Sequence, residues 1–236
     1  MSEIFQFNGF PERGVKFFVE LAENNNKMWF NQHKNEYEND VLAPARAFVF
    51  EMGKRLKKIS PRVNADPRIN KSLFKIHRDT RFSQDKTPFK THLGIMFWEG
   101  AGPRMECSCY YFHLAPPNLM LGVGIYMFPK PLLEQYRSSV VHPKYGKALI
   151  KAINQGTQDG TFKLGGRYYK KTPRGFDPNH EHAEYLLYRG LHVGTESNIP
   201  EELYSSQIIG YCFEKFQKLA PVHNWLVAMT ERVNRV

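Results

Sequence analysis

The spacing of apolar residues changes along this chain, and that change constrains the fold more than any other feature. Before Pro61 apolar residues recur three or four positions apart, as Phe17, Phe18 and Leu21 do, which is typical of one helix face. After Pro61 apolar and polar residues alternate, which is typical of strands with one buried face. The sequence thus predicts helices followed by a sheet.

Four consecutive segments carry the alternation and are predicted to be strands, namely 72–77, 91–98, 107–114 and 119–127. Further extended segments are predicted at 161–171 and 191–194. Helices are predicted over 11–24, 27–41, 45–58, 130–140, 144–155, 179–189, 200–217 and 221–234. This order predicts an α+β fold in a single domain over residues 1–236. An antiparallel meander of about four to six strands would pack against the N-terminal and C-terminal helices.

Composition excludes several classes of protein. Hydrophobic residues make up 42% of the chain and aromatic residues 14%, which is enough for a folded core. No apolar run approaches the roughly 18 residues of a membrane span, so no membrane association is expected. The first residues lack the pattern of a secretory signal. Three cysteines are too few for a disulfide framework, and a cytoplasmic location is therefore expected.

The formal net charge of +10 is concentrated in the middle of the chain. Residues 61–180 contain 19 basic and 8 acidic side chains. A localised positive field attracts anions that range from phosphate esters to nucleic acid. A solvated basic surface without a ligand would show the same composition.

One predicted connection is unusually long and charged. Residues 78–90 join the first two predicted strands with thirteen residues, where about two to five would suffice. Phe82 and Phe89 are predicted to anchor this loop on the body of the protein. The loop holds four basic and two acidic side chains: Arg78, Arg81, Lys86, Lys90, Asp79 and Asp85.

The first hypothesis is a small-anion site. It is formed by the four cations of the loop together with Arg174, and its ligand is a metabolite that bears a phosphate or a carboxylate. In an enzymatic version Asp79 or Asp85 would act as general base, because no nucleophile beside a histidine is evident. In the alternative, the two aspartates neutralise the arginines, and the loop is a salt-bridged brace of a scaffold domain.

A second, less favoured hypothesis is nucleic-acid binding. Residues 165–176 interleave aromatic and basic side chains, which can stack on bases and contact phosphates. A solvated strand edge protected by its lysines would look the same. Asp79 and Asp85 lie inside the basic region, and no recognised nucleic-acid motif is present.

Metal and cofactor signals are weak. His77 and Asp79 are two positions apart, and His92 and His113 lie on neighbouring predicted strands, yet no HExxH spacing is present. We therefore predict no metal site. No phosphate-binding glycine loop is present, so no cofactor is named, and Cys107 and Cys109 are interpreted as buried thiols. The oligomeric state is not readable from the sequence.

Four stretches of the chain match a known family. They are FNGFP at 7–11, NNNKMWFNQHKNEYE at 24–38, ADPRINKSLFKIHRDTRFSQDKTPFKTHLGIMFW at 65–98 and KKTPRGFDPNHEHAEYLL at 170–187. With these stretches the chain resembles, over nearly its whole length, the uncharacterised family known as domain of unknown function 2461. The resemblance implies a single α+β domain and supplies no activity. His77 and Phe89 stand where that family more often has tyrosine, which argues against His77 as a shared metal ligand.

Overall fold

The computed structural model describes residues 6–233, with a five-stranded antiparallel sheet at its centre. The strands are β1 Leu93–Glu99, β2 Ser108–Ala115, β3 Asn118–Ile125, β4 Lys163–Arg167 and β5 Tyr188–Asn198. Their order in the sheet is β1-β2-β3-β5-β4, so β1 and β4 are the two edges. The predicted α+β class is confirmed, and the number of strands lies within the predicted range.

Helices precede and follow the sheet. They are α1 Glu12–Glu23, α2 Lys27–Gln32, α3 Lys34–Glu36, α4 Ala43–Leu56, α5 Lys130–Val141, α6 Pro143–Thr157 and α7 Ile208–Val233. A π-helical segment spans Tyr37–Leu42, and 3₁₀ turns span Arg104–Glu106, Ala183–Leu187 and Glu201–Tyr204. Over residues 6–233, none of the helices has the length and apolarity needed to cross a lipid bilayer.

The predicted strand at 72–77 is wrong, because this segment divides its backbone pairing between two partners. The Phe74 amide donates to the Gly94 carbonyl in β1 at 3.1 Å. A few residues later, the Arg78 amide donates to the Pro88 carbonyl at 2.9 Å. Because residues 72–77 pair with each partner over only a few positions, they form isolated β-bridges and no continuous ladder.

The predicted helices at 27–41, 179–189, 200–217 and 221–234 also need correction. The first is interrupted at His33, whose ring stacks on Trp29 and bonds to the Trp29 carbonyl at 2.8 Å. The second is reduced to a 3₁₀ turn. The last two are joined into one helix, α7, which begins at Ile208 and not at residue 200 and continues through Pro221. Leu219 and Leu226, on either side of this proline, are buried in the core.

The sheet has one face covered by helices and one that is partly open. In β2 the residues alternate between buried and half-buried along the strand, as the period of two requires. On the covered face, Phe112 contacts Phe48 of α4 at a ring separation of 4.9 Å, and Tyr110 contacts Phe216 of α7 at 5.3 Å. On the open face lie Cys109, Tyr111 and His113.

Candidate functional site: a trough on the open face of the sheet

The open face of the sheet forms a trough of about 410 Å³. Strand register creates its floor, because Gly122 of β3 is paired with Gly194 of β5, and Gly124 is paired with His192. Side chains on one face of a strand lie two residues apart, so these glycines place no side chain over the floor. They also let the strands approach closely, since a Cβ atom on Gly124 or Gly194 would lie 2.2 or 2.8 Å from a carbonyl oxygen of the neighbouring strand. We call this cavity the sheet trough.

Aromatic and thioether side chains form the walls of the sheet trough. Phe74 meets Tyr111 edge to face at a ring separation of 6.0 Å. On the other side His192 stacks with Tyr126 at 5.9 Å. Met120 leans toward the floor, since a Cβ atom on Gly122 would lie 3.8 Å from its Sδ. The lining is mainly apolar, as is usual in small-molecule sites.

Two half-buried cations lie against Phe74, the wall of the sheet trough near β1. The Lys90 Nζ lies 5.4 Å and the Arg104 Cζ 4.5 Å from the centre of the Phe74 ring. Arg104 donates to the Lys71 carbonyl and to the Met96 Sδ, the latter at 3.3 Å. Within residues 6–233, neither cation forms an ion pair. We call Lys90 and Arg104 the cation pair.

The charged side chains that act on the pKa of Lys90 have the same sign as Lys90 itself. Burial, Lys75 and Arg104 all lower the pKa of Lys90. Burial also lowers the pKa of Arg104. Buried charges in proteins are normally paired with an opposite charge. The cation pair is half-buried and has no such partner among residues 6–233.

Two histidines lie beside the cation pair and are neutral at pH 7. The rings of His92 and His113 are 4.3 Å apart, and the Tyr111 hydroxyl is hydrogen-bonded to His113 Nδ1 at 3.0 Å. Burial, then His113 and Lys90, lower the pKa of His92 to about 4. Burial likewise lowers the pKa of His113. In the described part of the chain, no third side chain completes a metal site with them.

The charged loop at 78–90 is cross-linked by its own side chains. Arg81 donates to both oxygens of Asp79, at 2.9 and 2.7 Å. Arg78 donates to Asp85 at 2.5 Å and to the side chain and carbonyl of Thr87. Two of the five predicted anion-binding cations thus have carboxylate partners within the loop.

The other predicted cations are placed differently. Lys86 donates to the Thr80 carbonyl at 2.9 Å, and Lys90 belongs to the cation pair. Arg174 is exposed in the segment after β4, the sheet edge opposite β1. Among residues 6–233, no hydrogen bond, ion pair or ring contact joins Arg174 to the loop.

The two candidate general bases are strongly acidic carboxyl groups. Hydrogen bonds from Arg81 lower the pKa of Asp79 to about 2. The Thr87 amide, followed by Arg78, lowers the pKa of Asp85 to about 2. A base works best when its pKa is near the working pH, so these values weigh against the predicted role.

The aromatic anchors of the loop behave in opposite ways. Phe89 is buried and stacks on Phe30 of α2 at a ring separation of 4.2 Å. Asn25 bonds to both the amide and the carbonyl of Phe89. Phe82 is 94% exposed, so its predicted anchoring is wrong. One aromatic anchor, with the Asn25 bonds, is enough to attach the loop.

Two arginine substitutions should show which contacts of the loop stabilise the fold and which are only exposed ion pairs. We expect Arg78→Ala to lower Tm by about 2–4 °C, because three hydrogen-bond acceptors lose a half-buried donor. Arg81→Ala should leave Tm within experimental error, since its pair is exposed. Differential scanning fluorimetry of both variants checks this, and equal losses of Tm would contradict it.

A buried polar network links β1, β2 and α7. Register places Glu99 of β1 directly opposite Ser108 of β2 on the covered face. His223 of α7 reaches both, with Nδ1 3.0 Å from the Ser108 hydroxyl and Nε2 3.3 Å from Glu99. Arg62 then joins Glu99 to Glu231 by ion pairs at 3.1 and 2.6 Å.

Proton positions in this network follow from the pKa directions. Hydrogen bonding to His223 lowers the pKa of Glu99, and burial lowers the pKa of His223 despite Glu99. Neutral His223 therefore donates from Nε2 to the Glu99 carboxylate and accepts the Ser108 hydroxyl at Nδ1. Ser108 and His223 are completely buried, so a substrate has no access to the hydroxyl. The network is a structural link between helix and sheet.

A larger cavity of about 610 Å³ adjoins this network and is lined by Arg62, Glu99 and Glu231. Arg62 already pairs with both carboxylates, so these three residues leave no unpaired charge in that cavity. The sheet trough has a mainly apolar lining, and both members of the cation pair contact Phe74, one of its walls. It is therefore the stronger candidate for a binding site.

Sequence reasoning missed Arg104 and the floor of the sheet trough. Arg104 follows a glycine-rich turn cluster and carries no local sign of its contact with Phe74. Gly122 and Gly124 did carry a signal, since glycine inside a strand often marks the close approach of a ligand or another backbone.

Residues 13–225 match the family of conserved hypothetical proteins designated DUF2461. Comparisons with curated proteins and with solved structures returned no match. The family match spans most of the chain and includes the helices before the sheet, the charged loop and all five strands. The chain belongs to the DUF2461 family.

Proposed function

We propose that the protein binds a small anion, a carboxylate or a phosphate ester, at the cation pair beside the sheet trough. The supporting observation is the cation pair, which is half-buried beside an apolar cavity and has no ion-pair partner among residues 6–233. Removing a charge from water is costly unless it is paired. A bound anion would supply the missing partner and make charge-assisted hydrogen bonds to both side chains.

The proposal gives the cations of the loop different roles. Lys90 contacts the ligand, with Arg104 contributed by the turn between β1 and β2. Arg78 and Arg81 hold the loop in shape through Asp85 and Asp79. Arg174 has no part in ligand contact, and no proton transfer is assigned to either aspartate.

Substitution of the cation pair tests this proposal. In fluorimetry at constant ionic strength, inorganic phosphate or citrate should raise the Tm of the wild type. A ligand at 100 times its Kd stabilises the native state by about 2.7 kcal/mol. The shift should be lost in Lys90→Met and in Arg104→Met. Without ligand, Lys90→Met should melt no lower than the wild type, because it removes a charge that burial disfavours.

Arg81→Met is the matched control. It removes a cation from the same loop, but one that is exposed and already paired with Asp79. The anion shift should persist in this variant. Phosphate also stabilises proteins by exclusion from their surface. A shift that is equal in wild type, Lys90→Met and Arg81→Met would come from that effect and would contradict the proposal, as would the absence of any shift.

Nucleic-acid binding is a second candidate, supported by the surface around Tyr168. This ring is 64% exposed and lies 5.0 Å from the Arg189 guanidinium, with Lys170 and Lys171 following in the chain. Exposed aromatic rings next to cations suit the bases and phosphates of a single strand. Binding of single-stranded RNA that falls steeply with salt and is lost in Tyr168→Ala would favour this candidate.

A further inference from the structure

We infer that the anion bound at the cation pair is a phosphate monoester in its dianionic form, and that Lys75 is the third cation of its site. This inference rests on the proposed function, since the cation pair holds the ligand. It adds a further binding residue and the charge of the ligand, which the cation pair alone does not define.

Lys75 lies in the chain between two residues that contact the cation pair. The Phe74 ring, one residue earlier, lies against both Lys90 and Arg104. The Ile76 carbonyl, one residue later, accepts a hydrogen bond from the Lys90 amide at 2.8 Å. Lys75 is exposed, and after burial it is the next cause of the lowered pKa of Lys90, followed by Arg104. Three cations thus lie near one another at this place.

Among residues 6–233, no carboxylate forms an ion pair or a hydrogen bond with Lys75, Lys90 or Arg104. Asp79 is a carboxylate on which Lys75 does act. Hydrogen bonds from Arg81 are the main cause of its low pKa, and Lys75 contributes least. Because Arg81 donates to both oxygens of Asp79, at 2.9 and 2.7 Å, that carboxylate already has its partner. The three cations therefore keep an excess of positive charge.

This excess favours a ligand with two negative charges. Every negative charge on the ligand is attracted by all three cations, so the second charge adds about as much Coulomb energy as the first. A monocarboxylate would leave two of the three positive charges without compensation, whereas a dianion leaves one. Half-buried like charges that stay uncompensated repel each other more strongly than they would in water.

The donor geometry favours one group that carries both charges. Both hydrogen bonds of Arg104 within residues 6–233 come from Nη1, to the Lys71 carbonyl and to Met96 Sδ. Its Nε and Nη2 atoms are therefore available as a fork that matches two oxygens of one phosphate. A phosphate monoester has a third terminal oxygen for the lysines. The two carboxylates of a dicarboxylic acid are held apart by its carbon chain, so a single one would take this place.

The first test compares two ligands that differ in charge. Methyl phosphate is mainly a dianion at pH 7.5, because its second pKa is near 6, and dimethyl phosphate is a monoanion. Titrations of ¹⁵N-labelled wild type at constant ionic strength, followed by NMR chemical shifts, should give methyl phosphate a Kd at least about tenfold lower. Malonate, a dicarboxylate, should also bind more weakly than methyl phosphate. Equal Kd values for the two phosphates, or tighter binding of malonate, would overturn the inference.

The second test removes the third cation. Lys75→Met should raise the Kd of methyl phosphate about fivefold and that of dimethyl phosphate about twofold, because Coulomb attraction grows with the charge of the ligand. Lys75 is exposed, so the variant should fold as the wild type does. Lys86→Met is the matched control, since it removes an exposed lysine that donates to the Thr80 carbonyl. Equal effects of the two substitutions would overturn the role of Lys75.

A third variant separates this inference from the proposed function. Lys90→Met should weaken both phosphates. If it does so while the two phosphates bind the wild type with equal Kd, the proposed function stands and the dianion is refuted. Methyl phosphate that binds Lys90→Met as tightly as the wild type would refute the proposed function and the three-cation site together, as would the binding of neither phosphate to the wild type.

Discussion

His223→Leu is expected to destabilise the protein by about 3 kcal/mol or more, one of the two largest effects that we predict. The variant replaces the imidazole with an apolar side chain of similar size, and the Glu99 carboxylate loses its buried donor. The Ser108 hydroxyl loses its acceptor at the same time. Urea denaturation followed by circular dichroism measures the free energy of unfolding, with the m-value as a check that the native state is unchanged.

The double variant Glu99→Leu/His223→Leu separates lost pairing from lost packing. Replacing both members of a buried pair by apolar residues is often less damaging than removing one. We expect the double variant to recover part of the stability lost in His223→Leu. Ser108→Ala should cost about 1–2 kcal/mol. If the losses of the two single variants simply add up in the double variant, the network does not act as a unit.

Acidification between pH 6.5 and 4 is expected to produce the other large loss of stability. Burial lowers the pKa values of His92, His113, His192 and His223, that of His92 to about 4. Unfolded histidines titrate near pH 6.5, so in this window the unfolded state binds more protons. The stabilisation is complete above pH 6.5 and is lost as the pH falls toward 4. His92 is partly accessible to solvent, so we assign it about 1–2 kcal/mol.

The histidine window is distinct from that of the aspartates. Asp79 and Asp85 have pKa values of about 2, against ordinary values near 3.8, so their ion pairs are lost only below about pH 4. Thermal melts from pH 7.5 to 3 should therefore show an earlier decline caused by histidines. His92→Gln should flatten that decline. An unaltered profile in this variant would contradict the assignment.

The sequence predicted correctly those alternating strands that pair with a neighbouring strand over their full length. β2 and β3 are such strands, joined by a short proline-containing turn. Residues 72–77 alternate equally well, yet they pair with β1 and then with residues 88–90. Local patterns report which residues face the core, whereas strand partners depend on the path of the rest of the chain.

The candidate site was less predictable than the fold. Charge density led to the loop at 78–90, where the structure assigns carboxylates to Arg78 and Arg81. The charge of Lys90 makes it a candidate in the sequence. What distinguishes Lys90 from the other cations of the loop is that its side chain has no hydrogen-bond or ion-pair partner among the described residues. That absence depends on Phe74 and Arg104 coming together across separate segments. One sequence gives the order of such residues and not their proximity.

The position of α7 affects how the chain folds during its synthesis. The covered face of β2 contacts α7 through Tyr110 and Ser108, and α7 is made about 100 residues after that strand. At roughly 5–20 residues per second, the ribosome needs about 5–20 seconds to complete this interval. During that time the apolar face of the first hairpins lacks its final cover. The nascent chain therefore presents this part of the β2 face without its α7 contacts until synthesis of the chain nears its end.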